Sequence, residues 1–235
     1  PESERIITEI DKVIAQTADL IGKKILITAG GTREPIDPIR FIGNRSSGKQ
    51  GFALAMAAAS RGAQVHLVIA NSELPNIDGI TTTAVETAEE MAAILNLEFP
   101  HCDALIMSAA VADAKVVNYS EGKIRKESLD KVELAKNPDI LKSLAQIKRP
   151  GQIVVGFAAE TMSSVDALQK SGHEKLSSKN LDLIYVNDVS DGAIFGQENT
   201  KGIIIDNSNN VIKVPEISKD TLADILLDQL VSKLG

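Results

Sequence analysis

Short aliphatic runs recur along this chain, with helical patterns between them. The runs fall at residues 24–29, 65–70, 80–84, 104–108, 153–157 and 182–186. They are rich in Ile, Val and Leu, as strands buried on both faces are. Helical patterns follow at 48–61, 87–98, 137–146, 163–170 and 219–233. This alternation predicts an α/β fold: a Rossmann-like, mostly parallel sheet with helices on both faces. Residues 201–214 break the pattern. Gly202-Ile-Ile-Ile-Asp206, Asn207-Ser-Asn-Asn210 and Val211-Ile-Lys-Val214 read as an antiparallel hairpin appendage with an Asn-rich turn. It is expected to extend the sheet at an edge or to lie against a partner. Ile203, Ile205, Val211 and Val214 would otherwise face water.

Between the first aliphatic run and the Ala-rich stretch after it lies a long Gly-, Ser- and Arg-containing loop, residues 30–51. Small residues let backbone N–H groups approach an anion, and the following helix dipole favours negative charge there. Phosphate binding is the reading its chemistry supports. Two familiar motifs nearly fit. Gly43-Asn-Arg-Ser-Ser-Gly48-Lys49-Gln50 has P-loop spacing, but Gln50 stands where a hydroxyl should hold magnesium. Gly30-Gly31 follows the strand without completing Gly-x-Gly-x-x-Gly. The bland alternative is an unliganded surface loop, yet loops beyond about 12–15 residues in compact domains are usually functional or disordered.

Net charge is −7, so a broad nucleic-acid surface is not expected; a phosphate site must be a local basic pocket. Arg33, Arg40, Arg45, Lys49, Lys123, Arg125 and Lys126 concentrate in the segments of interest. No apolar run has the roughly 18 residues of a membrane span, and no secretory signal is visible. The single Cys102 excludes an internal disulfide. A reducing, cytoplasmic setting is therefore expected, with Cys102 a core thiol. His66, His101 and His173 lack metal-ligand spacing. A length of 235 residues suits one α/β domain.

The residue 30–51 segment resembles the signature of bacterial phosphopantothenoylcysteine synthetase, the second catalytic domain of a bifunctional coenzyme A biosynthesis protein. Further matches follow in order: Ser108-Ala-Ala-Val-Ala-Asp113, Lys123-Ile-Arg-Lys126, Lys136-Asn-Pro-Asp-Ile140, Gly156-Phe-Ala-Ala-Glu-Thr161 and Lys179-Asn-Leu-Asp-Leu-Ile-Tyr-Val-Asn-Asp188. They cover residues 23 to about 190. Four segments of these matches fall after aliphatic runs, from Gly30 onward, at 109–113, at 158–161 and at 187–188, where α/β sheets bind ligands.

The resemblance implies a ligase joining 4′-phosphopantothenate to cysteine with CTP through an acyl-cytidylate. It implies catalytic roles for Asn44, Arg40 and Lys123: an amide for the acyl intermediate, a forked donor for substrate anions, and a cation at the reacting centre. Read alone, Asn44 would N-cap a helix near Ser46, Arg40 would be a surface charge, and Lys123 would sit on a solvated, mobile loop. The nucleotide residues implied are Gly30, Gly31, Ser46, Ser47, Gly48, Ala109, Ala110, Asp113, Lys123, Asn137, Pro138, Asp139, Ile140, Phe157, Lys175 and Lys179. Asp113 is also the candidate contact for Mg²⁺. The family pattern has Lys where Arg125 stands, and Gly172-His173-Glu174 blurs the helix boundary before Lys175. The resemblance further implies a homodimer with sites near the shared interface. Residues 1–22 read as a linker helix after a flavin-dependent decarboxylase domain, and 23–235 as the synthetase domain. The alternatives from other classes are an NAD(P)-binding reductase and a non-enzymatic nucleotide-binding domain.

Overall fold

The computed structural model describes residues 18–126, 130–161, 164–189 and 197–235. The linker helix expected over 1–22 lies outside these residues except for 18–22, which form a turn. That turn is held by Leu20, fully buried, and by an ion pair between Asp19 and Arg61.

Twelve strands and five α-helices follow among the described residues. The elements that position the site are β1 (Lys24–Gly30), β4 (Gln64–Ala70), β5 (Thr81–Val85), β6 (Ala104–Met107), β9 (Ile153–Glu160) and β10 (Leu183–Asp188). They form the parallel part of one eight-stranded sheet, ordered β12-β11-β10-β9-β6-β1-β4-β5. The helices are α1 (Lys49–Ser60), α2 (Ala88–Glu98), α3 (Ile140–Gln146), α4 (Val165–Ser178) and α5 (Lys219–Leu234). Alternate residues of β1 feed two cores. Leu26 joins the cluster of α2, α3 and α4, whereas Ile25 and Ile27 join that of α1 and α5. The expected Rossmann-like α/β class is the observed one.

The appendage is β11 (Asn199–Asp206) and β12 (Val211–Ser218), antiparallel to each other, with β11 antiparallel to β10. It extends the sheet edge, one of the two expected outcomes. The expectation that its apolar residues need a partner is corrected. Ile203, Ile205 and Val214 are 2%, 0% and 4% exposed within this one chain. Ile203 and Ile205 pack with Leu168 and Leu176 of α4, and Ile204 with Leu226 and Leu230 of α5. Consecutive isoleucines bury both faces of a strand that has a helix on each side.

Helix α4 runs unbroken through Gly172-His173-Glu174. Gly172 is there for contact: a Cβ would stand 2.5 Å from Ile205 Cδ1 and 2.9 Å from Val186 Cγ2. Two small ribbons complete the fold: β2 (Arg33–Pro35) with β3 (Phe41–Gly43), and β7 (Ala114–Val116) with β8 (Leu134–Lys136). The residue 30–51 segment is thus a short ribbon, not featureless loop.

Candidate active site at the carboxyl edge of the sheet

The chain leaves β1 at Gly30, whose φ of 81° and approach to β4 tolerate no side chain; a Cβ would lie 1.9 Å from the Ala70 carbonyl oxygen. The loop after β6 is stitched to this exit. The Ala110 amide donates to the Gly30 carbonyl at 2.8 Å, and the Thr32 amide to the Ala110 carbonyl at 3.2 Å. Buried Thr28 and Thr32 accept from the amides of Ala109 (3.0 Å) and Ala112 (2.8 Å). Asn137 then ties in the segment before α3: its amide reaches the Asp113 carbonyl at 2.9 Å and its side chain the Ala112 carbonyl at 2.9 Å. Every polar backbone group used here would be costly to bury unpaired, so these bonds fix the loops as one unit.

The result is a crevice of about 860 Å³ at the carboxyl ends of β6, β9 and β10. Asn44, Ala109, Ala110, Asp113, Asn137, Pro138, Asp139, Ile140, Phe157, Lys175 and Lys179 all line it. Phe157 serves core and crevice alike, packing edge-on against Tyr185 with ring centroids 5.6 Å apart. A smaller depression of about 180 Å³ adjoins it, sharing Arg45, Ala109, Ala110, Phe157, Ala158 and Ala159. Ser46, Ser47 and Gly48 line this second space at the start of α1. Gly48 holds the left-handed conformation that launches the helix, and the Ser46 hydroxyl accepts from its amide at 3.3 Å.

Asn44 is not a helix cap. The α1 N-cap is Gly48, and the Asn44 side-chain amide instead donates to the Val111 carbonyl at 3.0 Å. Gly30 and Gly31 lie behind the crevice and do not line it; a Cβ on Gly31 would meet the Asn44 carbonyl at 2.9 Å. Arg40 and Lys123 are likewise absent from the lining. They sit on two adjoining ribbons, Arg40 in the β2–β3 turn and Lys123 between β7 and β8, where Arg40 Nη1 donates to the carbonyl of Ile124 at 3.2 Å. The loop expected to be mobile is fastened there, and its residues 127–129 lie outside the described ones. Arg45, one of the basic residues of the expected local pocket, lines the site, and Thr200 and Lys219 line it without having been anticipated. Thr200 and Lys219 are brought by the sheet order β9-β10-β11 and by α5, which no local motif encodes.

The cations of the crevice are held by acids. Lys179 Nζ lies 2.9 Å from Asp139 Oδ2, and Lys175 Nζ bonds to Glu160, which also accepts from Ser171 Oγ at 2.7 Å. Burial opposes ionisation of Glu160, but the Lys175 and Ser171 hydrogen bonds outweigh it and hold the carboxyl below its ordinary value. At Lys219, burial and then the nearby Lys49 lower the ammonium's pKa, against Glu198. Cys102 is buried, its thiol pushed up to about 11 by desolvation, as a core residue should be. Among the described residues no group of three or more His, Cys, Asp or Glu could hold a metal ion alone, and no helix is long and apolar enough to cross a membrane.

Comparisons with known proteins agree with this architecture. The chain is 37% identical over its whole length to the coenzyme A biosynthesis bifunctional protein CoaBC of Mycobacterium tuberculosis, spanning 59% of that protein. It is 40% identical over 96% of its length to a protein named cysteine/cysteine sulfinic acid decarboxylase, from an unknown prokaryotic organism, and spans 64% of it. Thus the chain spans about 60% of the length of these relatives. The crystal structure of the C-terminal domain of CoaBC superposes with a TM-score of 0.78 at 34% identity, covering 92% of this chain and 98% of that one. The family described as DNA/pantothenate metabolism flavoprotein C-terminal domain matches residues 20–234, and the chain belongs to it.

Proposed function

We propose that this domain is a phosphopantothenate–cysteine ligase that consumes CTP. The observation that carries the reading is the crevice: Asn44, Asp113, residues 137–140, and Lys175 with Lys179 come from four separate segments and line one space. The names of the relatives, coenzyme A biosynthesis proteins, support the same chemistry. A carboxylate is a poor electrophile until one oxygen becomes part of a good leaving group. In the proposed first step a carboxylate oxygen of 4′-phosphopantothenate attacks the α-phosphorus of CTP, and the bond to pyrophosphate breaks. In the second, the cysteine amine attacks the acyl carbon, its proton is lost, and CMP departs.

The larger crevice suits the nucleoside, with Lys175 and Lys179 as donors and the backbone of residues 137–140 and Phe157 beside the base. Ser46, Ser47 and Gly48 suit the phosphates, at the positive end of α1. Asn44 supplies an amide for the charge that develops on the acyl oxygen. Arg40 and Lys123 would act from the two ribbons beside the crevice. Magnesium usually meets protein through one or two carboxylates and takes its other ligands from phosphates and water. Asp113 in the crevice, where Asp139 is already paired with Lys179, fits that mode, and the ion would offset triphosphate charge. A homodimer, a cytoplasmic setting and fusion to a flavin-dependent decarboxylase domain belong to the same proposal. No nucleic-acid or membrane partner is part of it.

The test is pyrophosphate release by the purified chain, with CTP or ATP, with and without 4′-phosphopantothenate and cysteine. Release that needs phosphopantothenate and is faster with CTP is expected. Release independent of phosphopantothenate, or none with either nucleotide, rejects the reading. Sedimentation at micromolar concentration tests the dimer.

A further inference from the structure

One buried carboxylate joins the loop of Lys123 to the turn of Arg40. Asp37 lies in the connection between β2 and β3, and its side chain is fully enclosed. Its Oδ1 accepts from the amides of Ile39 at 2.9 Å and Arg40 at 2.8 Å. These two bonds are all that the local turn needs. Its Oδ2 does something else. It accepts from Arg40 Nη1 at 3.0 Å and from the amide of Ile124, 87 residues away in sequence, at 3.2 Å. Arg40 Nη1 also donates to the Ile124 carbonyl at 3.2 Å. The residue after Lys123 is therefore gripped through both its N–H and its C=O. A second tie runs from the Ser120 amide to the Ile36 carbonyl at 3.0 Å, and the Ser120 hydroxyl donates to the Gly122 carbonyl at 2.7 Å.

We propose that Asp37 is a positioning residue that fixes the backbone beneath Lys123 relative to Arg40. This rests on the reading of Lys123 and Arg40 as cations of the ligase reaction. Lys123 is exposed, on a four-carbon stem. An ammonium in that setting stabilises a reacting phosphate well only if the backbone beneath it is already in place, because reorganisation at the moment of reaction cancels the gain. Enclosing a carboxylate is unfavourable unless its lone pairs are used. Asp37 meets that condition with four donors, three of them on Arg40 and Ile124, the residues it would position. Desolvation alone would raise its pKa, but the amides of Ile39, Arg40 and Ile124, then the Arg40 charge, hold the carboxyl below its ordinary value. The grip therefore stays ionised through the neutral range.

The test uses Asp37→Asn in the full chain, which keeps size but turns one acceptor into a donor. Amide exchange read by mass spectrometry should be about tenfold faster in residues 119–126, the loss of one charge-assisted hydrogen bond, with β1 unchanged. In a single turnover without cysteine, pyrophosphate release should slow about tenfold at unchanged CTP half-saturation. In a Lys123→Gln background Asp37→Asn should add no further loss. Unchanged exchange in 119–126 overturns the grip. Losses that multiply in the double variant overturn the action through Lys123. Should the Asn variant not fold, Ile124→Pro, which removes the N–H that reaches Oδ2 and also restricts the backbone at 123 and 124, must show the same non-additivity. A wild type that releases no pyrophosphate rejects the ligase reading, while the exchange arm still decides the grip.

Discussion

Lys179 Nζ lies 2.9 Å from Asp139 Oδ2, and both residues line the crevice. Lys179 is the C-cap of α4 and Asp139 the N-cap of α3, so one ion pair joins two helix ends that face a common space. The cation proposed to meet the nucleotide is thus held in place by the acid beside it before a ligand arrives.

The two partners should separate by substitution. Lys179→Gln is expected to weaken CTP binding about tenfold, the loss of a charge-assisted hydrogen bond. Asp139→Asn should leave affinity unchanged or raise it, because the cation loses a competitor. It should also keep thermal stability, since Asn caps as well as Asp. Asp139→Ala removes the bond that the side chain accepts from the Lys142 amide at 3.0 Å, and should destabilise by about 1 kcal/mol. Calorimetric titration and thermal unfolding read the two effects. Equal loss of affinity in Lys179→Gln and Asp139→Asn would reject this division of roles.

Acid stability follows from the same carboxyls. At Asp139 burial opposes ionisation, but the Lys142 amide and Lys179 outweigh it, and Glu160 is lowered against burial by Lys175 and Ser171. The folded pKa values lie below the unfolded ones, ordinarily about 3.9 for Asp and 4.3 for Glu. Stability from these groups is therefore complete above the unfolded values, and is lost as pH falls through the folded ones, because the unfolded chain takes up protons first. Tm should be flat from pH 7 to about pH 5 and fall below the ordinary carboxyl range. Asp139→Asn with Glu160→Gln should make that fall shallower. A slope unchanged by both substitutions would place the acid sensitivity elsewhere.

The sequence carried the fold where elements are long and apolar. The strands near 24, 65, 104, 153 and 183 show as Ile/Val/Leu runs, because both faces of the sheet are covered. The three-residue strands of the two ribbons are too short to show such a run, and each pairs only with its partner in the ribbon. Asn44 precedes Ser-Ser-Gly and reads locally as a cap, but Gly48 alone can take the left-handed conformation that starts α1, which frees Asn44 for Val111. Lys219 and Thr200 reach the site only through sheet order. Gly172 reads as a helix breaker and turns out to be the contact point of α4 with the sheet, a distinction that depends on what lies opposite.

The burial of the hairpin changes what its substitution should do. Ile205 is fully buried and touches the position where Gly172 admits no side chain. Gly172→Ala should overpack this contact and destabilise by about 1–3 kcal/mol. Ile205→Lys should unfold or precipitate the chain by burying an unpaired charge, without yielding a folded monomer. Circular dichroism and thermal unfolding distinguish the outcomes. A cooperative, folded Ile205→Lys protein with wild-type Tm would show that the strand faces water after all.

Asn44 offers the sharpest test of the chemistry. A side-chain amide has two N–H donors, and the Val111 carbonyl takes one at 3.0 Å. That bond fixes the plane of the amide at the crevice wall, leaving its other N–H to meet an oxygen that gains charge during reaction. Asn44→Asp replaces the donor with an acceptor facing a carbonyl, so the side chain must turn away or repel both Val111 and the acyl oxygen. Loss of one such donor typically slows a reaction about 10²–10³-fold. Product formation should fall by that order while CTP affinity is kept, because the residues proposed for the nucleoside lie on β9, on α4 and at the start of α3, away from the Asn44 segment. Acyl-cytidylate should accumulate or escape, detectable by mass spectrometry after a single turnover. Wild-type turnover in Asn44→Asp would reduce Asn44 to a brace for the loop after β6. Equal loss of CTP binding would place it among the nucleotide contacts instead.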